Sequence, residues 1–490
     1  MLFLAVLVIV ITAVSTEMLI RRNEYLSEVF RKILHFTAIS LSAVIPLLLR
    51  EHVLLLLVSF LSTILVIVVV STDYLKSIRK DEEKSWGIIY FSIIYTFAIF
   101  VLPYEYYYLL SMSFLILAIA DSLAAITGVY FAKKTYRLSG IEKSYLGSVV
   151  FFFSTFLIAI GLPLLFSDYF LQGGLPLFYL LHFALIIAIV LTTFEALSSQ
   201  GFDNFLIPLF SIILSVVFLR DEKSSLLFQF SLGLVLAGIV AVLSYRAKFL
   251  TANGSVSTFL LAGFIFGLGG WKWSIPILTF FILSSLLSKV RKEKNAVVES
   301  YFEKSGTRDF MQVFANGGLG GVLVIMNTIS PSEWFFYGYV ASLAAVCADT
   351  WSTELGTLKV NKTYNILNFK PVSQGMSGGI SLPGTLGGLA GAIVIAISGL
   401  FFFESNMLLL TIIIVISGFA GGLFDSILGA TVQVQYKCKV CGDVTENAHH
   451  CGEKAQKFRG FEIINNDFVN FLSGVFGLIM FILIWSIAVL

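Results

Sequence analysis

The sequence predicts an all-α fold, a polytopic helical membrane protein of about 16 spans in two related-looking halves. Three observations lead there. Of the 490 residues, 58% are hydrophobic and only 13% charged. Apolar runs of about 20 residues, the length a helix needs to cross hydrocarbon, recur from end to end. Lysine and arginine fall almost entirely in alternate loops between those runs. The net charge of +2 supports no nucleic-acid partner; the partner that composition demands is a lipid bilayer.

In order, the runs lie near 2–20, 33–49, 53–70, 86–102, 107–130, 145–166, 176–199, 204–219, 226–243, 255–270, 272–288, 312–329, 334–357, 380–402, 406–432 and 467–489. The first has no basic start and no small-residue cleavage site, and Arg21 and Arg22 follow at once, so it reads as a retained helix. One set of loops holds only Arg50, Arg220, Lys223 and Lys272, leaving 28 of the 32 basic residues on the other side. The positive-inside rule then predicts a multi-pass protein of the cell membrane, with both termini outside and the basic loops cytoplasmic. A polar, Gly-containing turn near Tyr245, in SYRAKFLTANGS, suggests halves of 1–244 and 245–490.

Two acids stand out. Asp121 lies in ADSLAAITG and Asp349 in ADTWSTELG, each within an apolar run. A carboxylate buried in a bilayer costs roughly 2.5–3.5 kcal/mol on insertion scales, so each calls for a partner or a task. In both places a Gly stands seven residues after the Asp, and Ser-x-x-Gly-Ser/Thr opens the next run: Ser144 to Ser148, then Ser381 to Thr385. Small residues alone would read as helix packing, but packing does not explain the acid. Asp121, Asp349 and Asp425 stand 12, 10 and 12 residues before Lys133, Lys359 and Lys437. At 1.5 Å per residue that sets each about 15–18 Å from the inner surface. Asp73, Lys143, Glu195, Asp203, Asn204, Arg308, Asp309, Asn316, Glu354, Asn466 and Asp467 fall toward the same predicted side. A cytoplasmic anion reacting with a lipid head group would need such an arrangement.

In the first half, RKILHF (Arg31 to Phe36), DSLAAITG, KSYLGS and EALSSQGFDNFLIP resemble the CTP-dependent lipid-alcohol kinase family of dolichol kinase, phytol kinase and yeast-type diacylglycerol kinase. The resemblance covers roughly residues 25–240. It maps the family's nucleotide motif onto Asp121, Ala124, Gly128, Lys143, Ser144, Gly147 and Ser148. On that reading Asp121 holds Mg²⁺ or accepts the alcohol proton, and Lys143 neutralises a phosphate. Gly147 admits backbone N–H groups, and Ser148 opens a helix whose positive end favours an anion. Arg31, Lys32 and His35 lie where they could hold phosphate.

In the second half, KSGTRDFMQVFANGG, AADTWSTELG, PVSQGMSGGISLPGTLGG, FDSILGATVQ and NNDFVN are similar to the integral membrane family that contains phytyl-phosphate kinase of chloroplasts and cyanobacteria. Read from the residues, Arg308 suits bidentate phosphate binding, and Asn316 and the Gly-rich turn after it suit an anion. Gly384 and Thr385 repeat the first half's phosphate turn. Asp349, Glu354, Asp425 and Asp467 supply carboxylates, three of them (Asp349, Asp425 and Asp467) as Mg²⁺ ligands.

CKVCGDVTENAHHCG, Cys438 to Gly452, has the composition of a zinc knuckle. Cytoplasmic thiols stay reduced, so no disulfide is expected. The expected ligands are Cys438, Cys441, Cys451 and one histidine. His449 is preferred because His450 adjoins Cys451. Cys347 reads as core packing.

These readings combine into a bifunctional isoprenoid-alcohol salvage kinase. The first half would phosphorylate phytol or a similar polyprenol from CTP, or another nucleoside triphosphate. The second would convert the monophosphate to the diphosphate. A membrane cytidylyltransferase acting on a lipid phosphate is an alternative. So is a transporter with internal repeats, although a transporter should carry polar residues toward both faces.

Overall fold

The computed structural model describes residues 27–49, 51–71, 86–170, 175–220, 223–295, 307–359, 361–404 and 406–488. The predicted run 2–20, Arg21, Arg22, Arg50, Asp73 and the start of the Lys304 segment lie outside them. Two compact units emerge, Met1–Leu227 and Phe228–Leu490.

The first unit comprises α1 (Ser27–Leu48), α2 (His52–Ser71), α3 (Gly87–Val101) and α4 (Tyr107–Ile116). A π-helical turn (Leu117–Asp121) leads into α5 (Ser122–Tyr130). The antiparallel hairpin β1 (Thr135–Arg137) and β2 (Glu142–Ser144) precedes α6 (Tyr145–Leu165), α7 (Leu177–Leu197) and α8 (Asp203–Phe218). Its core is the nearly continuous buried surface of α4 and α7. α2, by contrast, buries only Leu55 and Ser59, as a lipid-facing helix should.

The boundary falls in the first turn of α9 (Ser224–Arg246); Tyr245, where the sequence suggests a division, is at the other end of that helix. α10 (Ala252–Lys294) bends where Gly270 takes φ +62. That position favours glycine, and the kink makes the runs 255–270 and 272–288 two arms of one element. Then come α11 (Phe310–Ile329), α12 (Glu333–Gly356), the small sheet β3 (Thr363–Asn365), β4 (Pro371–Val372) and β5 (Gly379–Ile380), α13 (Leu382–Leu400) and α14 (Met407–Thr431). A polar excursion follows: β6 (Gln435–Lys437), β7 (Val444–Thr445), β8 (His449–His450), β9 (Glu453–Lys454) and β10 (Gln456–Arg459), before α15 (Asn466–Ala488).

α12 is the axis of this unit. It is buried without a break from Phe336 to Ala348 and packs against α13, α14 and α15. Small residues allow that approach: a Cβ on Gly418, Gly421 or Gly422 would meet Ala344, Ala345 or Ala348 at 2.5, 2.4 and 2.9 Å.

Each predicted run after the first falls on a helix. Among the described residues, eleven helices are long and apolar enough to cross a membrane, and Gly87–Val101 and Asp203–Phe218 are shorter apolar ones. In lipid every backbone polar group must be satisfied internally, which is why such runs can only be helical.

Candidate functional site

In the first unit the motif builds a charge-compensated site. Lys32 and His35 sit one turn apart on α1, on one helix face. Lys32 Nζ lies 2.5 Å from Asp121 Oδ2, and His35 Nδ1 lies 3.7 Å from the same oxygen. The other ring nitrogen, His35 Nε2, lies 3.3 Å from Asn204 Oδ1. Asp121 closes the π-helical turn, a rare distortion that recurs at functional sites. Lys143, on β2, donates to Glu195 Oε1 at 2.6 Å and to the Glu195 carbonyl. Burial alone would lower the Lys143 ammonium, but the Glu195 carboxylate beside it holds it above its usual value.

The turn after it differs from expectation. α6 begins at Tyr145, not Ser148: Ser144 is the N-cap, its Oγ accepting from Gly147 N–H at 2.9 Å. Ser148 lies a turn inside, with Oγ 2.7 Å from Tyr136 Oη. Gly128 and Gly147 are there for closeness, since a Cβ on either would come 2.6 or 2.7 Å from Ser144 Oγ, and on Gly147 2.9 Å from Ala124 O. Arg31 is half-buried at the same end of α1.

The second unit carries a polar cavity of about 190 Å³ lined by Arg308, Asn316, Asp349, Glu354, Asp425 and Asp467, among others. Three helices deliver the aspartates: Asp349 from α12, Asp425 from α14 and Asp467 from the first turn of α15. Asn470, one turn beyond Asp467, donates to Asp349 Oδ2 at 3.3 Å and Asp425 Oδ2 at 3.1 Å in the amide orientation that satisfies both. Among the described residues neither Asp349 nor Asp425 has an ion-pair partner.

Glu354 does not join them. Its carboxylate is taken up by Arg291 and Ser288 on α10, so it braces the arginine rather than offering a free oxygen pair. Asp309 is likewise a cap, accepting from Gln312 N–H at 3.1 Å. Ser381 caps α13 through Gly384 N–H at 3.2 Å, putting Gly384 on the cavity wall. Thr385 follows inside the first turn, its N–H donating to Ser381 O at 2.8 Å.

Arg308 is pinned by its backbone: its N–H donates to Phe249 O and its carbonyl accepts from Thr251 N–H, both at 3.0 Å. Its guanidinium lies over Phe280 and Phe281, 5.4 and 5.5 Å from the ring centroids, and donates to Ser285 Oγ at 3.3 Å. Those phenylalanines, with Val240, Leu261, Ile277 and Leu278, line a second, almost wholly apolar cavity of about 60 Å³. Arg308, Gln312 and Asn316 line both cavities.

In the polar excursion Cys438, Cys441, His450 and Cys451 bring one donor atom each within 4.8 Å of one another. His450, not His449, is the histidine of this cluster, and the expectation is corrected on that point. Adjacent strand residues face opposite ways, so β8 turns His449 outward. Cys451 then adopts φ +53, which breaks the alternation and lets two neighbours face one point. Hydrogen bonding, led by the Cys441 backbone and then the His450 side chain, draws the Cys438 thiol down to about 6.

Several site residues escaped the sequence reading: Tyr136, Arg291, Gln374, Gln433, Glu446 and Asn470. Asn470 had a signal, its spacing of three from Asp467 on a helix. Glu446 and Tyr136 sit in short strands and turns whose periodicity carries none.

The family model described as integral membrane protein DUF92 matches residues 235–478. Protein PGR of Arabidopsis thaliana is 30% identical over 271 residues, covering 50% of this chain and 92% of that protein. The chain belongs to this family. The match lies over its second half. An uncharacterized membrane protein of Methanocaldococcus jannaschii is 28% identical over 53% of this chain and 95% of its own length. Protein VTE6, chloroplastic, of Arabidopsis thaliana is 28% identical over 48% of this chain and 65% of its own length. No solved structure matches the chain.

Proposed function

We propose that this integral membrane protein is a bifunctional isoprenoid kinase, with alcohol phosphorylation in the first unit and monophosphate phosphorylation in the second. The observation that carries the reading is the sharing of Arg308, Gln312 and Asn316 between an apolar cavity and a carboxylate-lined one. An acyl or prenyl chain suits the apolar side. Its phosphate would then meet a guanidinium whose planar fork matches two phosphate oxygens.

The aspartates suit Mg²⁺. Asp349, Asp425 and Asp467 offer hard oxygens, and the Asn470 amide, turned over, would bring its carbonyl oxygen to the point between Asp349 and Asp425. A divalent ion held by these residues would neutralise charge on the phosphates of a nucleotide. Arg308 orients the acceptor phosphate, and Arg291 is held by Glu354, whose other oxygen accepts from Ser288 Oγ. A lipid phosphate oxygen attacks the terminal phosphorus of the nucleoside triphosphate, and the bond to the bridging oxygen breaks. The products are a lipid diphosphate and a nucleoside diphosphate.

In the first unit, Asp121 is the group placed to accept the alcohol proton, or to hold Mg²⁺ as its motif implies. Lys32 and Lys143 supply positive charge around it. CTP is the donor that the lipid-alcohol kinase resemblance implies.

Membranes containing the protein, incubated with phytol or geranylgeraniol and γ-labelled CTP, UTP or ATP, should place label in the lipid mono- and diphosphate. γ-Label released as pyrophosphate, with lipid labelled only when the nucleoside of CTP carries the label, would identify a cytidylyltransferase instead. Arg308→Lys should raise KM for the lipid phosphate, because a point charge replaces a fork.

A further inference from the structure

The thiol cluster takes no part in that chemistry, yet it adjoins the cavity in sequence and by hydrogen bonds. We propose that Cys438, Cys441, His450 and Cys451 hold a structural zinc ion, and that this clasp fixes the strand bearing Glu446 on the rim of the carboxylate cavity. The link to the cavity deepens the proposed phosphate transfer; the zinc site itself does not depend on it.

The donor set and its spacing fit. Bonds of about 2.0–2.3 Å in a tetrahedral site set donor–donor edges of about 3.3–3.8 Å, and the four N and S atoms already lie within 4.8 Å of one another. His450 Nδ1 lies 3.5 Å from Cys441 Sγ and 3.3 Å from Cys451 Sγ. Two tight turns deliver the ligands in pairs. Cys438 N–H donates to Asp443 O at 2.8 Å and Gly442 N–H returns to Cys438 O at 3.1 Å, with Gly442 at φ +80. Val440 N–H points at Cys438 Sγ from 3.4 Å, a donor aimed at sulfur. The second turn has Cys451 at φ +53 and Gly452 at φ +79. A left-handed backbone at a non-glycine residue is disfavoured and persists only where its surroundings demand it.

The excursion has little regular structure of its own. Its strands are two to four residues long, and β9 and most of β10 are exposed. So small a piece gains from a staple. What it holds is specific. Glu446 follows β7 directly and accepts from Ser377 Oγ at 2.7 Å and Gln433 Nε2 at 2.9 Å through the same oxygen. All three line the carboxylate cavity. At the far end of the sheet, Arg459 donates to Ala430 O at 2.8 Å and Gly429 O at 3.0 Å, the last carbonyls of α14, the helix that carries Asp425. The clasp is therefore tied both to the rim and to one of the ligand-bearing helices.

Metal analysis of the full chain purified in detergent should find about one zinc per chain. His450→Ala and the pair Cys438→Ser/Cys441→Ser should lose it, whereas His449→Ala should keep it. Fewer than about one zinc in ten chains, or loss with His449→Ala but not His450→Ala, would overturn the site. Where a cysteine variant does not fold, chelation of the unmutated protein should expose Lys439, Lys454 or Lys457 to trypsin, and zinc should restore protection; an unchanged digest counts against the clasp. For the link to the cavity, zinc loss and Glu446→Gln should each raise the Mg²⁺ needed for half-maximal kinase activity about 10–100-fold, with zinc retained in Glu446→Gln. A folded, zinc-free protein with an unaltered Mg²⁺ requirement would sever that link. Absence of any kinase activity would sink the phosphate-transfer reading and leave the zinc result standing.

Discussion

The two copies of the motif share a frame and differ in charge. In the first, Ser144 caps α6 through Gly147, and a Cβ on Gly147 would come 2.9 Å from Ala124 O. In the second, Ser381 caps α13 through Gly384, and a Cβ on Gly384 would come 2.9 Å from Ser352 O. Gly128 and Gly356 lean on the two cap hydroxyls in the same way. Asp, Ala or Ser, and Gly at i, i+3 and i+7 thus lie along one helix face against the first turn of the next helix. On this common frame the first unit sets its acid beside Lys32, and the second joins Asp349 and Asp425 through Asn470. The frame supplies position, and the chemistry comes from what other helices bring to it. A compensated acid suits proton handling; two neighbouring carboxylates suit a divalent ion.

The sharpest way to break this comparison is to neutralise each acid in turn. Asp349→Asn or Asp425→Asn should lower diphosphate formation by about 10²–10³ and leave monophosphate formation intact. Asp121→Asn should do the reverse. Loss of both activities in any one variant, measured with the separate lipid substrates, would contradict two independent sites.

A stability measurement separates compensated from clustered acids. Lys32→Ala leaves a buried carboxylate without its ammonium and should cost about 3–5 kcal/mol of stability, while Lys32→Ala with Asp121→Ala should recover much of it. Thermal unfolding in detergent would read this. Asp349→Asn, which removes a like-charged neighbour of Asp425, should not destabilise and should raise the melting temperature when Mg²⁺ is absent.

The shared frame predicts matched effects. Gly147→Ala and Gly384→Ala should each cost about 1–3 kcal/mol, since a methyl would meet backbone carbonyl in both. Ser144→Ala and Ser381→Ala should each cost about 1 kcal/mol through the lost cap. Clearly unequal losses in either pair would show that the frames are not equivalent.

Much of the helical layout was legible in advance because a span is a local property: an apolar run long enough to cross must be helical in lipid. The kink at Gly270 and the helix start at Tyr145 needed backbone geometry. The choice of His450 over His449 turned on one left-handed residue, Cys451, whose conformation no pattern announces.

What the sequence determined alone was the chain of helices and the i, i+3, i+7 register of each motif, because both depend on neighbours a turn or two away. Which charge meets which acid was decided by the tertiary structure. Lys32 and Asp121 are 89 residues apart, and Glu354 is 63 from its arginine. Side-chain pairs at that separation exist only once helices have packed, and it is the small residues at those contacts that let them pack closely enough to meet.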